Sequence, residues 1–242
     1  VGMTGSKIEC HALFITTLQK DVRSLIRCAE LAGVVVDDVV AAPLASGRAV
    51  VARRHKEVGT ILMDIGASTV SLAVFEEGIP ISLEVLPYGS ANVTHDLAIG
   101  FKMSIEQAEE LKRSFDVRTM SAKKQLAEIV SARLSDIFDL TNKHLKKIER
   151  ERLLPAGAVI AGGGSQLSEL TEFAKECLEL PAEIGSLQDV ALPMGAEGWQ
   201  WATAVGLCLL AYDGARGKPE LGFELTHKAG NFLWRWVKSL LP

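Results

Sequence analysis

The chain has 242 residues, 48% hydrophobic and 23% charged, with 26 basic side chains against 30 acidic ones and a formal charge of −4. That is ordinary globular composition, and the slight acidic excess excludes a strongly basic nucleic-acid-binding protein as the first reading. The best interior apolar run, Val205 to Tyr212, is far short of the roughly 20 residues a membrane-spanning helix needs. Cys10, Cys28, Cys177 and Cys208 show neither metal-ligand spacing nor a dense disulfide framework, and read as reduced thiols of a cytosolic protein. Val1 rather than methionine opens the chain with no leader-like segment, so the beginning of a longer protein is expected to be missing.

The apolar, β-branched run Ile8 to Thr16 predicts a strand. Leu18, Val22, Leu25, Ile26, Ala29 and Ala32 recur at helical spacing, with Gly33 placed to end a helix. A further apolar run, Val34 to Ala42, breaks at Pro43, and a short helix is expected over Ala45 to Arg53. Thr60–Ile65, Thr69–Phe75 and Ile79–Leu86 are three consecutive strand candidates. The turns between them are so short that the strands must run antiparallel, as a meander. Ser104 to Gln107 has the S-x-x-Q form of a capping box, opening a helix to about Arg113. A long amphipathic pattern from Ser121 to about Arg152 turns Leu126, Val130, Leu134, Ile137, Leu145 and Ile148 inward, and its charged end reads as solvated. Ala158–Ala161 is a short strand leading into Gly162-Gly163-Gly164-Ser165, where Ser165 is placed to cap a helix presenting Leu167, Leu170, Phe173 and Cys177 on one face. Trp199 to about Tyr212 is apolar nearly all round, which predicts a fully buried helix. Asp213 to His227, with three glycines, a proline and no periodicity, reads as a linker.

Four segments carry chemistry. In Asp64-Ile65-Gly66-Ala67-Ser68-Thr69 an acidic residue ends a strand before a small-residue turn. Such a turn lets backbone N–H groups approach a phosphate, and an aspartate there suits Mg²⁺ held through water. A plain hairpin with a capping aspartate is the alternative. Gly162, Gly163 and Gly164 join a strand to a helical turn, either as an anion site or as close strand–helix packing. Neither a Walker sequence nor a dinucleotide fingerprint is present. Glu109 and Lys112, three residues apart on one helix face, suit the two sides of a ribose, or form a solvated ion pair. In chain order, a phosphate turn, a ribose-facing charged helix and a second glycine loop make up a split nucleotide site. The tail is the fourth. On a helical wheel Phe232, Leu233, Trp236, Val237, Leu240 and Leu241 fill one half, Arg235 and Lys238 lie on the other, and Trp234 sits at the border. That pattern suits a helix lying in the plane of an anionic membrane, against the alternative of a last helix docked on the globular body.

The motifs resemble the FtsA cell-division protein family from end to end. Val1 to Gly5 is similar to the family's P-x-G-[ML]-[ST]-G, Cys28 to Gly33 to C-x-x-x-A-G, and Pro43 to Ser46 to P-[LV]-A-S. Asp64 to Thr69 stands where the family has DIGGGTTD, and Asn92 to Ala98 resembles N-x-[VI]-T-x-D-[IL]-A. Ala108 to Lys112 resembles the ribose-contacting A-E-x-[IL]-K, Gly162 to Ser165 the adenosine motif, and Ala202 to Leu207 the closing A-T-A-V-G-L helix. The resemblance implies an α/β actin-like ATPase (ribonuclease H-like) fold, with a partial first lobe, a complete second lobe and a C-terminal amphipathic helix. It implies residues 1–36 as the end of subdomain 1C, 37–58 as part of 1A, 59–99 as 2A and 100–155 as 2B. Residues 156–196 would return to 2A, 197–214 would be the closing helix of 1A, 215–227 a linker, and 228–242 the membrane-targeting helix.

The implied function is a bacterial cell-division adaptor at the cytoplasmic face of the inner membrane, at the division site. It would bind ATP and Mg, polymerise with itself, and tether FtsZ to anionic lipid beside other divisome proteins, with no nucleic acid involved. Hydrolysis would be slow at most, because Ala67, Ser68 and Ser71 replace two glycines and the final aspartate of the family motif. The family's first phosphate loop does not occur in these residues. A PilM-like pilus assembly protein and an actin-superfamily small-molecule kinase are the alternatives.

Overall fold

The computed structural model describes residues 7, 9, 12–114, 123–192 and 197–215. They fall into two units, 1–37 and 38–242. In the first, helix α1 (Gln19–Leu31) has its predicted span. The predicted strand before it does not form over residues 12–16, because a strand exists through its ladder and none of the described residues pairs with it.

The second unit is built on a five-stranded sheet of β1 (Thr60–Ile65), β2 (Val70–Glu76), β3 (Ile79–Leu86), β4 (Ala158–Ala161) and β5 (Ala182–Ile184), in the order β3-β2-β1-β4-β5. The first three strands form the expected antiparallel meander, and β4 and β5 continue it in parallel on the other side of β1. Side chains alternate across the sheet. Ile61, Met63, Ile65, Leu72 and Ile160 face one core, and Leu62, Ala73, Phe75, Val159 and Ala161 face the other.

The first core is closed by α4 (Ser90–Phe101), α5 (Ile105–Arg113), α6 (Lys123–Lys147) and α7 (Leu170–Leu178). Ser104 caps α5 as its sequence predicts, accepting from the Gln107 N–H while the Gln107 side chain accepts from the Ser104 N–H. Helix α6 stops at Lys147, short of the predicted Arg152. Glu149 there takes a left-handed conformation (φ 58°), and the Arg150 N–H reaches back to the Leu145 carbonyl at 2.8 Å, a backbone closure that ends a helix regardless of side-chain pattern. Ser165 does not cap α7. It lies inside a 3₁₀ turn, Gly163–Gln166, and the residue before α7 is Glu169.

The second core is closed by α2 (Ala42–Val50) and α8 (Gly198–Ala215). Helix α2 begins three residues before the expected Ala45, because Pro43 occupies its first turn, where the missing N–H costs nothing. It ends at Val50, and Arg53–Val58 forms a separate helix, α3. The prediction of full burial for α8 is corrected. Ala202, Gly206 and Leu210 form its buried stripe, while Trp201, Leu207 and Tyr212 stand exposed. An all-round apolar helix does not itself reveal which side is covered.

Candidate functional site

Of the predicted site residues, Asp64, Gly66, Ala67, Ser68, Thr69, Gly162, Gly163 and Gly164 collect around the C-terminal ends of the neighbouring strands β1 and β4. Asp64 is the next-to-last residue of β1, and it pairs with Ala161, the last of β4. The following turn is closed by the Gly66 N–H donating to the Thr69 carbonyl at 2.9 Å, and Ala67, Ser68 and Thr69 are exposed. An exposed small-residue backbone beside a carboxylate is the arrangement that a phosphate turn requires.

The glycine loop meets the same end of the sheet, and the structure sorts its three glycines. Gly162 has φ 80°, and a Cβ there would come within 2.5 Å of Asp64 Oδ1. Gly164 lies against Ile65 with no room for a side chain. These two allow close packing onto β1. Gly163 alone is exposed, flanked by the Trp199 ring at the start of α8.

Asp64 is held from the other side. The Ser46 hydroxyl, fully buried on α2, donates to Asp64 Oδ2 at 2.6 Å, and Ser46 Oγ lies 2.8 Å from Thr203 Oγ1 on α8. Oδ2 is therefore engaged, and Oδ1 is the oxygen nearest the glycine loop. Ser46 and Thr203 were not among the predicted site residues, although both lie inside motifs that carry the family resemblance.

Helix α4 brings the third segment in. Its Ser90 and Ala91 N–H groups donate to the Gly66 and Ala67 carbonyls at 2.9 and 2.8 Å, docking its first turn on the turn that follows β1. Lys112 reaches that same helix turn, donating to the Ser90 carbonyl (3.3 Å), to Thr94 Oγ1 (2.9 Å) and to Glu109 Oε2 (2.7 Å). Thr94 donates to Glu109 Oε2 at 2.6 Å, and Arg113 pairs with Oε1 at 2.9 Å. Burial pushes the Glu109 carboxyl up, but the bonds from Lys112, Thr94 and Arg113 outweigh it and hold the group at about 2. Glu109 and Lys112 thus staple α5 to α4, whose Ser90 N–H bonds the Gly66 carbonyl of the turn after β1.

The tail residues Phe232, Leu233, Trp234, Arg235, Trp236, Lys238, Leu240 and Leu241 lie outside the described residues. No described helix is long and apolar enough to cross a membrane.

The fold is of the actin-like class. The chain is similar to MreB 5 of Spiroplasma citri bound to AMPPNP, with a TM-score of 0.67 and 13% identity over 83% of this chain and 67% of the other. It is also similar to the protein of a PilM-PilN type IV pilus biogenesis complex, with a TM-score of 0.64 and 22% identity over 79% and 57%. Within that class, the family model for cell division protein FtsA matches residues 61–206, and the chain belongs to the FtsA family. Relatives include the FtsA proteins of Bacillus subtilis, 28% identical over 94% of this chain and 56% of the relative, and of Escherichia coli K12, 26% identical over 99% and 63%. The chain thus spans somewhat more than half the length of these two relatives.

Proposed function

We propose that this chain supplies the second-lobe side of an ATP–Mg site in a cell-division adaptor that polymerises and tethers FtsZ to the inner membrane. One observation carries the nucleotide part: the Asp64 carboxylate, the exposed Ala67–Thr69 turn and the exposed Gly163 backbone lie together at the ends of β1 and β4. The residues fit the group. Backbone N–H groups of the turn and the Ser68 and Thr69 hydroxyls would take phosphate oxygens, Gly163 would lie along the nucleoside, and Asp64 would hold Mg²⁺ through water. Bound Mg²⁺ supplies charge neutralisation on the phosphates. Glu109 and Lys112 flank the same turn through α4, and contact with a ribose would replace one of the bonds that now close them on Thr94 and Ser90. Ser71 in place of the family's aspartate supports slow hydrolysis at most, and a role in assembly rather than turnover.

The aromatic, basic tail supports membrane attachment. A helix of this size anchors reversibly, so several copies in a polymer would hold where one does not. The setting would be the cytoplasmic face of the inner membrane at the division site, with FtsZ and other divisome proteins as partners. Two measurements on the full-length protein test this reading. Asp64→Ala should weaken Mg·ATP binding, and equal affinities would remove Asp64 from the site. Replacing Trp234 and Trp236 together by glutamate should release the protein, and FtsZ with it, from vesicles containing anionic lipid. Unchanged sedimentation would sink the tethering role of the tail.

A further inference from the structure

We infer that Ser46 and Thr203 are positioning residues for Asp64, forming a one-way hydroxyl relay from α8 through α2 that leaves Asp64 Oδ1 presented for the metal. The direction follows from proton counting. A serine hydroxyl has one proton, and Ser46 spends it on Asp64 Oδ2, a carboxylate that can only accept. The 2.8 Å contact between Ser46 and Thr203 must therefore be donated by Thr203. Each donated bond polarises the next, so the Thr203 hydroxyl strengthens the bond from Ser46 to the carboxylate.

The backbone frame explains why the relay is rigid. A Cβ on Gly206 would overlap the Ala45 carbonyl, so α8 crosses α2 at backbone contact. Ser46 is the residue after Ala45, and Thr203 lies one helical turn before Gly206 on the same face of α8. The crossing thus brings the two hydroxyls together, although 157 residues separate them in sequence. Serine in a helix ordinarily bonds back to its own preceding turn. Here it spans from a helix to a strand end, fully buried, with both partners from other elements.

Asp64 is consequently held through Oδ2 by Ser46, while Oδ1 borders Gly162, where a Cβ would come within 2.5 Å of it. A carboxylate so held loses little rotational freedom on meeting a hydrated cation, the usual benefit of residues behind a metal ligand. This inference rests on the reading that Asp64 serves ATP–Mg.

The test is isothermal titration of ATP into the full-length protein, with Mg²⁺ and again with EDTA. Ser46→Ala and Thr203→Val are compared with Thr203→Ser, which retains the hydroxyl. Loss of such a supporting bond behind a directly bound metal lowers affinity by about 10-fold or more. Asp64 acts through water, so Ser46→Ala should reduce Mg·ATP affinity severalfold, up to about that factor, with affinity in EDTA unchanged. Thr203→Val should shift it the same way by less, and Thr203→Ser should restore it. Equal losses with and without Mg²⁺ would make the relay ordinary packing and overturn the inference, as would wild-type Mg²⁺ dependence in both variants. Should Ser46→Ala fail to fold, the Thr203→Val and Thr203→Ser pair decides alone. Wild type that binds no ATP in either condition would overturn the nucleotide reading itself, and the relay's metal role with it.

Discussion

Asp64 and Ser71 lie directly opposite each other across the β1–β2 ladder, and their side chains share the sheet face covered by α2 and α8. The family motif has an aspartate where this chain has Ser71, so the family pattern would set two carboxylates side by side. Ser71→Asp should recreate that pair. In EDTA the opposed like charges should lower the melting temperature, a cost of up to about 1 kcal/mol for directly facing residues. Mg·ATP should reverse the loss in the full-length protein. A variant that stays destabilised with Mg·ATP would show that the two positions do not share a cation.

Glu109 makes a prediction about acid stability. Its carboxyl, ordinarily near 4.5, is held at about 2 in the folded chain, because the bonds from Lys112, Thr94 and Arg113 exceed the opposing effect of burial. A depressed carboxylate contributes stability that is complete above the unfolded value and is lost as pH falls from 4.5 toward 2. With a third of the side chain open to solvent, the contribution is on the order of 1–2 kcal/mol. Glu109→Gln should cost about that much at pH 7 by urea denaturation, and should flatten the acid limb of the stability profile. Parallel profiles for the two proteins would place the effect elsewhere.

The parts of this fold legible in the sequence are those whose signal is local. The β1–β3 meander is bounded by small-residue turns, and α5 announces itself through Ser104 and Gln107. Helix α4 carries a weaker signal, with Asn92 accepting from the Gly89 N–H at its start but only Val93, Thr94 and Leu97 buried while Ile99 is exposed, which blurs its periodicity. The three loop glycines are identical in sequence, yet two accommodate β1 and one faces outward. Ser46 and Thr203 were invisible as a pair because hydroxyls in helices carry no directional signal, and the contact depends on a helix crossing.

His144 on α6 lies buried beneath β3, its Nε2 3.0 Å from Ser82 Oγ and its Nδ1 3.5 Å from Glu84 Oε2. Burial pushes the imidazole below its ordinary value near 6.5, Glu84 pulls it back, and Lys147 pushes it down further. With the folded value depressed, the unfolded chain takes up a proton first as pH falls, so stability is complete above about 6.5 and declines below it. His144→Gln keeps a hydrogen-bonding side chain without the titration. Its stability should fall less than that of wild type between pH 7 and 5, as measured by urea denaturation at each pH. An unchanged slope would mean that another group governs this range.

Gly206 bears on the frame behind the site. Since a Cβ there would overlap the Ala45 carbonyl, Gly206→Ala must push α8 away from α2, and neither backbone can yield locally. Overpacking at a backbone contact costs about 1–3 kcal/mol or more, against the usual gain of up to 1 kcal/mol from replacing a helix-interior glycine by alanine. The steric cost should win, and the variant should melt well below wild type. The displacement also separates Thr203 from Ser46, so Mg·ATP affinity in the full-length protein should fall even below the melting transition. Gly198→Ala, at the first residue of α8, offers the contrast, because its nearest neighbour is the flexible Leu187 side chain at 3.3 Å. That variant should melt close to wild type and keep its Mg²⁺ dependence. Equal effects from the two substitutions would show that glycine content, rather than the α2–α8 crossing, sets the behaviour of this helix.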